Sequence, residues 1–524
     1  MLSNKNKFSR YALLAMTMLF GLLALHDRAT QHYAYISLTN PNQVQIDFLW
    51  EADISALACK RRLDVLDEVA LADCPKCQIR IQSCLTSLNP NQIRMLNHDA
   101  LDFPTAYLRN AVISYQSSNP KLAMQACQEN QVFLNNNINQ FICTPEQSIR
   151  STKQSDKHVF WANLIEIFLL LVTSGLASWF VCYLILRYEH LHQHFSHDHI
   201  NSGIQKLHVQ STARIGGIAF LMSLLVSLAI ELCLHSNVSS NSLGLTYFIL
   251  AIAPVFFGGI IEDVTKKVGV TQRLLFSIAS ALIAIWLLGG YINRTDIATL
   301  DALLGWAPVA LIFTTLVIAG ICNASNIIDG YNGLAGGYAA IALAAIACVA
   351  FKLEDHLILI LSIGLMGGVL GFLCWNWPNG KLFMGDGGAY LLGFSLAELA
   401  ILLIYRHPVV SPWFTVLILA YPIIETLFSM FRRKFIHKTN ASDPDKSHYH
   451  QLVYFKILKA KRYSEANQIN KANSRVALFV WIPASLIAVL GTLFWQSTAI
   501  LMPLTLGGSM TYLLIYWYLH SLPD

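Results

Sequence analysis

At 524 residues the chain has room for roughly three or four soluble domains, yet 55% of it is hydrophobic and only 13% is Asp, Glu, Lys or Arg. With a mean hydropathy of +0.47, neither a soluble globule nor a disordered chain fits, because neither hides that much apolar surface from water. The net charge of +5, from 36 basic and 31 acidic residues, is too weak an excess for a nucleic-acid partner, and it matters through its placement between membrane spans.

Lys5, Lys7 and Arg10 precede an apolar run from Tyr11 to Leu25, the charge-then-apolar layout of a signal sequence. His26, Asp27 and Arg28 follow in place of a small-x-small cleavage site, so residues 1–29 are expected to form an uncleaved signal anchor, with a removed signal peptide as the alternative. Residues 30–157 then read as a small extracytoplasmic domain. Six of the eleven cysteines lie there: Cys59, Cys74, Cys77, Cys84, Cys127 and Cys143. An even number in an exported segment favours disulfides, without choosing among fifteen pairings. Cys74-Pro-Lys-Cys77 also has redox or zinc spacing, but it has neither a βαβ context nor a matching second pair, so structural disulfides are preferred. Ser55–Leu71 is a helix candidate.

From residue 158 onward the chain reads as an all-α polytopic membrane protein. Apolar blocks of about twenty residues, each long enough to cross a bilayer, fall near 159–186, 214–235, 244–261, 273–291, 303–322, 333–351, 356–374, 387–404, 410–430, 476–494 and 497–519. The loop after the ninth block is dense in basic residues, Arg432, Arg433, Lys434 and Lys438 among them, which makes it cytoplasmic. Counting back puts 187–213, 262–272, 323–332 and 375–386 on the same side and the cysteine-rich domain outside. The expected location is a cellular membrane, with those loops on its cytoplasmic side.

Those cytoplasmic loops carry compact polar clusters. They read Ser-Thr-Ala-Arg-Ile-Gly-Gly at 211–217, Glu262-Asp263 with Lys266, Asn323 and Asn326 through Asp329, Gly330 and Asn332, Phe383-Met384-Gly385-Asp386, and His448-Tyr-His450. One acid at a span end is ordinarily a solvated cap, but several Asp, Asn and His clusters on one face are poorly explained that way. Carboxylate and amide oxygens suit Mg²⁺, which takes one or two protein groups beside substrate phosphates, while Arg214, Lys266, His448 and His450 offer donors to a phosphate. A pyrophosphate held by Mg²⁺ at the membrane surface uses every cluster. No Walker A loop is present, which disfavours an ATP motor. Gly216-Gly217 and Gly387-Gly388 fit either close backbone approach to a ligand or helix packing.

With these motifs in view, the chain from Val159 to its end resembles the polyprenyl-phosphate N-acetylhexosamine-1-phosphate transferases of the WecA/MraY type. The resemblance rests on Asn323-x-x-Asn326-x-x-Asp329-Gly330-x-x-Gly333-Leu334 and on Phe383-Met-Gly-Asp386. It implies about eleven core helices and transfer of a sugar-1-phosphate from a UDP-N-acetylhexosamine to undecaprenyl phosphate, releasing UMP. The implied cofactor is Mg²⁺, with Mn²⁺ admissible, and a homodimer is compatible with the family. By position, Asn326 and Asp386 resemble the metal ligands and Phe383 the ring that stacks on uracil. Asp263 resembles the group that positions or deprotonates the lipid phosphate, with Glu262 and Lys266 beside it. Asp329 falls in the nucleotide-side motif, with Asn323 and Asn332 nearby, and His448 and His450 resemble the histidines that meet the pyrophosphate. Glu262 replaces the usual first Asp, Asn332 stands where many members have Asp, and Gln451 replaces a further His. Pro444-Asp445 is closer to the WecA branch. Two rival readings are a family member altered to binding or regulation, and a transporter. The transporter is disfavoured because its acids would sit near the bilayer midplane rather than at span ends.

Overall fold

The computed structural model describes residues 33–39, 44–50, 78–85, 105–108, 111–116, 149–196, 212–234, 240–436, 438, 447–458 and 466–523. The strands belong to one compact unit and the helices from Leu164 onward to a second.

In the first unit, β1 (Tyr33–Thr39), β2 (Gln45–Trp50), β3 (Gln78–Leu85), β4 (Thr105–Leu108) and β5 (Ala111–Gln116) form one sheet in the order β3-β1-β2-β5-β4. Every pairing is antiparallel, with Leu38 opposite Ile46 and Phe48 opposite Ile113. The described part of residues 30–157, for which the sequence suggested only a small separate domain, is thus a β-sheet. Its cause is legible in β3, where Ile79 and Ile81 alternate with Gln78, Arg80 and Gln82 at the period of a half-buried strand. The signal anchor, the Ser55–Leu71 helix and the disulfides fall outside the described residues; of the six cysteines only the backbone of Cys84, on β3, is described.

The second unit is helical: α1 (Ile149–Arg187), α2 (Glu189–Ser196), α3 (Gly217–Leu234), α4 (Ser240–Thr265), α5 (Val270–Leu288), α6 (Ala298–Leu304), α7 (Ala307–Ile328), α8 (Leu334–Lys352), α9 (His356–Asn376), α10 (Gly385–Arg406), α11 (Pro412–Ile418), α12 (Ala420–Phe431), α13 (Tyr449–Leu452), α14 (Ala466–Leu493) and α15 (Thr498–Ser521). Among the described residues nine helices are long and apolar enough to cross a membrane, α11 and α12 form a span bent by 72°, and Gly217–Cys233 is a shorter apolar helix. Each of the eleven apolar blocks thus has a helical counterpart, and the chain is a multi-pass membrane protein.

The break between α11 and α12 has a local cause. In a continuous helix the carbonyl of Ile418 would receive the N–H of residue 422, which is Pro422 and has none. The Tyr338 hydroxyl, from α8, donates to that carbonyl instead at 2.6 Å.

Helix α10 is the centre of the unit. Its most apolar window is 100% buried, against 17% for α15, and it packs on α3, α4, α7 and α8. Its first turn fits because of glycine. Gly385 has φ 72°, and a Cβ there would strike the Arg214 carbonyl and the Asp263 carboxylate. Gly217 lies directly on Gly388, so the paired glycines serve the packing of helices around the start of α10.

Candidate active site

The site is assembled around the N-terminus of α10. Residues 213–217 run beside the Phe383 loop: Phe383 N–H donates to the Ala213 carbonyl at 2.9 Å, and Gly216 and Gly217 N–H donate to the Phe383 and Met384 carbonyls, each at 2.9 Å. That backbone ladder brings Arg214 to the loop. Asp263, at the end of α4, then caps α10, its carboxylate accepting the backbone N–H groups of Asp386 at 2.8 Å and Gly387 at 2.9 Å. A carboxylate suits that position because the first N–H groups of a helix have no intrahelical partner and carry partial positive charge.

Asp386 points the other way, into two guanidinium groups. Arg214 Nη2 lies 3.1 Å from its Oδ1 and Arg273 Nη1 lies 2.9 Å from its Oδ2, with Arg214 Nε 3.8 Å from Asp263. Asp263 and Asp386 are only 2% and 5% exposed, and burying two carboxylates this closely is tolerable only with such compensation.

The end of α7 forms a second wall. Asp329 closes the helix, donating its N–H to the Asn326 carbonyl at 3.2 Å. Burial, with Asp386 and Asp263 nearby, pushes its carboxyl well above the usual range, and Arg214 acts in the opposite sense. Asn323 accepts the Tyr390 hydroxyl at 3.2 Å, which ties this wall to α10 one turn beyond Asp386. Asn326 is half-buried on the same helix end.

The third wall carries the histidines. His448 Nδ1 is 2.8 Å from Glu425 Oε1, and His450 Nδ1 is 3.1 Å from the Tyr421 hydroxyl. The two rings are nearly parallel, 8° apart with centroids at 5.3 Å. A side chain at Gly330 would lie 3.5 Å from His450 Nε2, so His450 reaches the Asp329-Gly330 turn. Gln451 accepts the His448 N–H at 3.1 Å and stabilises this short helix.

Other expected residues have different surroundings. Glu262 accepts the Val268 N–H at 2.7 Å, closing the turn after α4. In that turn Lys266 adopts φ 55° and its side chain is exposed. Asn332 is 2% exposed, with its N–H held by Asn473 and its amide donating to the Pro378 carbonyl at 3.1 Å. It braces loops from inside the protein. Phe383 is half-buried.

Arg273, Tyr390, Tyr421 and Glu425 escaped the sequence reading. Glu425 and Arg273 carried a usable signal, because an ionisable side chain inside an apolar span is costly unless it has a partner or a function.

The model of glycosyl transferase family 4 matches residues 245–404. A probable undecaprenyl-phosphate N-acetylglucosaminyl 1-phosphate transferase of Bacillus subtilis is 42% identical over 154 residues, 29% of this chain and 42% of that protein. A phospho-N-acetylmuramoyl-pentapeptide-transferase of Listeria welshimeri is 30% identical over 264 residues, 48% of this chain and 72% of that protein. Its counterpart in Listeria monocytogenes serotype 4b is 32% identical over 228 residues, 41% of this chain and 66% of that protein. The chain, with Asp263, Asp329 and Asp386 inside the matched segment, belongs to glycosyl transferase family 4. It spans less than half the length of the Bacillus subtilis relative, 42%.

Proposed function

We propose that this protein transfers an N-acetylhexosamine-1-phosphate from a UDP-sugar to undecaprenyl phosphate, releasing UMP, as the first membrane step of a cell-surface glycan. The core is residues 158–524, with the site at the cytoplasmic face of a bacterial inner membrane and residues 30–157 outside. The observation that carries this reading is the convergence of Asp263, Asp386, Arg214 and Arg273 on the first turn of α10.

In the reaction, an oxygen of the lipid phosphate forms a bond to the sugar-bearing phosphorus, and the bond from that phosphorus to UMP breaks. Such transfers depend chiefly on positioning and electrostatics. Arg214 and Arg273 supply positive charge beside the phosphates, with His448 and His450 as further donors from the third wall. Asp263 spends both oxygens on backbone N–H groups, the geometry of a group that builds the site. A lipid phosphate has a second pKa of about 6, so it arrives largely ionised and needs no strong base. Phe383, half-buried on the loop, is suited to stack on uracil.

Asp386 and Asn326 offer oxygen ligands, the type a hard divalent cation prefers and takes in ones and twos beside substrate phosphates, and among the described residues no three His, Cys, Asp or Glu side chains group as a metal site by themselves. Asp386 and Asn326 are the residues that would hold Mg²⁺. When bound, it would neutralise charge building on the departing phosphate.

The test uses purified protein, radiolabelled undecaprenyl phosphate and a panel of UDP-N-acetylhexosamines. One donor should give labelled lipid-pyrophosphate sugar together with UMP. Absence of product with every donor, from protein that is folded and supplied with Mg²⁺, overturns the reading.

A further inference from the structure

Tyr421 and Glu425 lie one turn apart on α12, so their side chains share a face. That face meets both histidines by the same ring atom: Glu425 takes Nδ1 of His448 and Tyr421 takes Nδ1 of His450. Glu425 is fully buried and receives more than the imidazole. The Tyr512 hydroxyl of α15 donates to its Oε2 at 2.8 Å, and the Tyr449 N–H lies 3.3 Å from either oxygen. A group on which three donors converge is an acceptor, the role of an ionised carboxylate.

We infer that Glu425 is a positioning residue, held by Tyr512 of the last helix, that keeps the His448 proton on Nδ1 and turns the Nε2 edge of the ring away from α12. The Tyr421 hydroxyl, which can donate or accept, holds Nδ1 of His450 towards the same helix, and the two rings lie 8° from parallel. The partner of one ring nitrogen decides which chemistry the other performs. Here that decision is made inside the membrane-spanning part of the protein, by residues beyond the segment 245–404 that the family model covers.

The activity readouts rest on the transferase reading, so a second readout is independent of it. Nitrogen-15 NMR of histidine-labelled full-length protein, with the signal of His448 identified by its loss in His448→Ala, should show Nδ1 protonated. In Glu425→Leu the signal should shift towards the other tautomer. In assays, Glu425→Leu should lower kcat by roughly 10- to 100-fold with little change in KM for the UDP-sugar. Glu425→Gln, whose Oε1 still accepts from Nδ1, should keep most of the activity. In a His448→Ala background Glu425→Leu should cost nothing more. Tyr512→Phe removes one hydroxyl and serves if the leucine variant does not fold; its smaller loss should also disappear in His448→Ala. An unchanged tautomer, or an equal loss with and without His448, overturns the inference. A wild-type protein that shows the Nδ1 tautomer but transfers no sugar phosphate overturns the transferase reading alone.

Discussion

Asp263 and Asp386 stand 123 residues apart, and the carboxylate of the first receives the backbone N–H of the second at 2.8 Å. One acid thereby fixes where the other points. Asp263→Asn keeps the size, but its amide nitrogen must face one of the two N–H groups it now accepts. Leaving such a buried donor unmatched costs about 1–3 kcal/mol. The melting temperature in detergent should fall, and activity should fall with it. Glu262→Gln, which still accepts from Val268, should leave melting nearly unchanged. Equal melting of Asp263→Asn and wild type would refute the capping role.

Asp386→Asn removes charge at nearly constant shape. If this carboxylate holds the cation beside the phosphates, turnover should drop by a factor of about a hundred or more, at membrane levels equal to wild type. Asn326→Ala should raise the Mg²⁺ concentration needed for half-maximal rate while sparing much of the maximum. Near-normal turnover in Asp386→Asn would remove the site.

Gly385 and Gly508 make a matched pair of alanine substitutions. Gly385 has φ 72° and contacts on two sides, whereas a Cβ at Gly508 meets nothing within 4 Å. Alanine at 385 should cost well over 1 kcal/mol, because the left-handed conformation and the contacts both oppose it. Alanine at 508 should be neutral or mildly stabilising. The comparison is read from the yield of monodisperse protein and its melting temperature, and equal values for the two would contradict the packing described around α10.

Asp355 gives a pH dependence away from the site. Burial tends to raise its carboxyl, but the hydrogen bond with His407 Nε2 at 2.8 Å and the Arg406 charge at 2.9 Å prevail, and the net shift is downward. A depressed folded pKa stabilises above the unfolded value of about 3.9, and the contribution disappears as pH falls through the folded value. Melting curves should therefore steepen their decline below about pH 4 in wild type. Asp355→Asn should melt lower at neutral pH and lose that acid limb. An identical pH profile for the two proteins would show that the pair contributes nothing.

The helices behind the apolar blocks were legible because an apolar run of bilayer length is a local signal that needs no partner. Asp263, Asp329 and Asp386 stood out for a related reason, as acids at span ends within compact polar clusters. Glu425 and Arg273 carried only the signal of ionisable groups in apolar spans, and their roles lie in what faces them: a histidine brought in by another loop and an aspartate 113 residues away. Asn332 is the reverse case. It belongs to a polar motif yet is 2% exposed, and composition alone does not separate a brace from a ligand contact. In the first unit the cysteines drew attention from short alternating strands, whose pairing partners are distant in sequence.

The broken span has a consequence for how the histidine wall is aimed. A continuous helix transmits its direction from one membrane face to the other, so rotating one end rotates the other. At Ile418 that transmission stops, because Pro422 offers no N–H and the Tyr338 hydroxyl takes the orphaned carbonyl. The Tyr338 hydroxyl thus ties the end of α11 to α8, while α12 leaves the 72° bend on its own axis and packs on α7. Changes in lipid thickness felt by α11 therefore reach Tyr421 and Glu425 only through the bend, and losing a single oxygen at Tyr338 would leave the Ile418 carbonyl there without its donor.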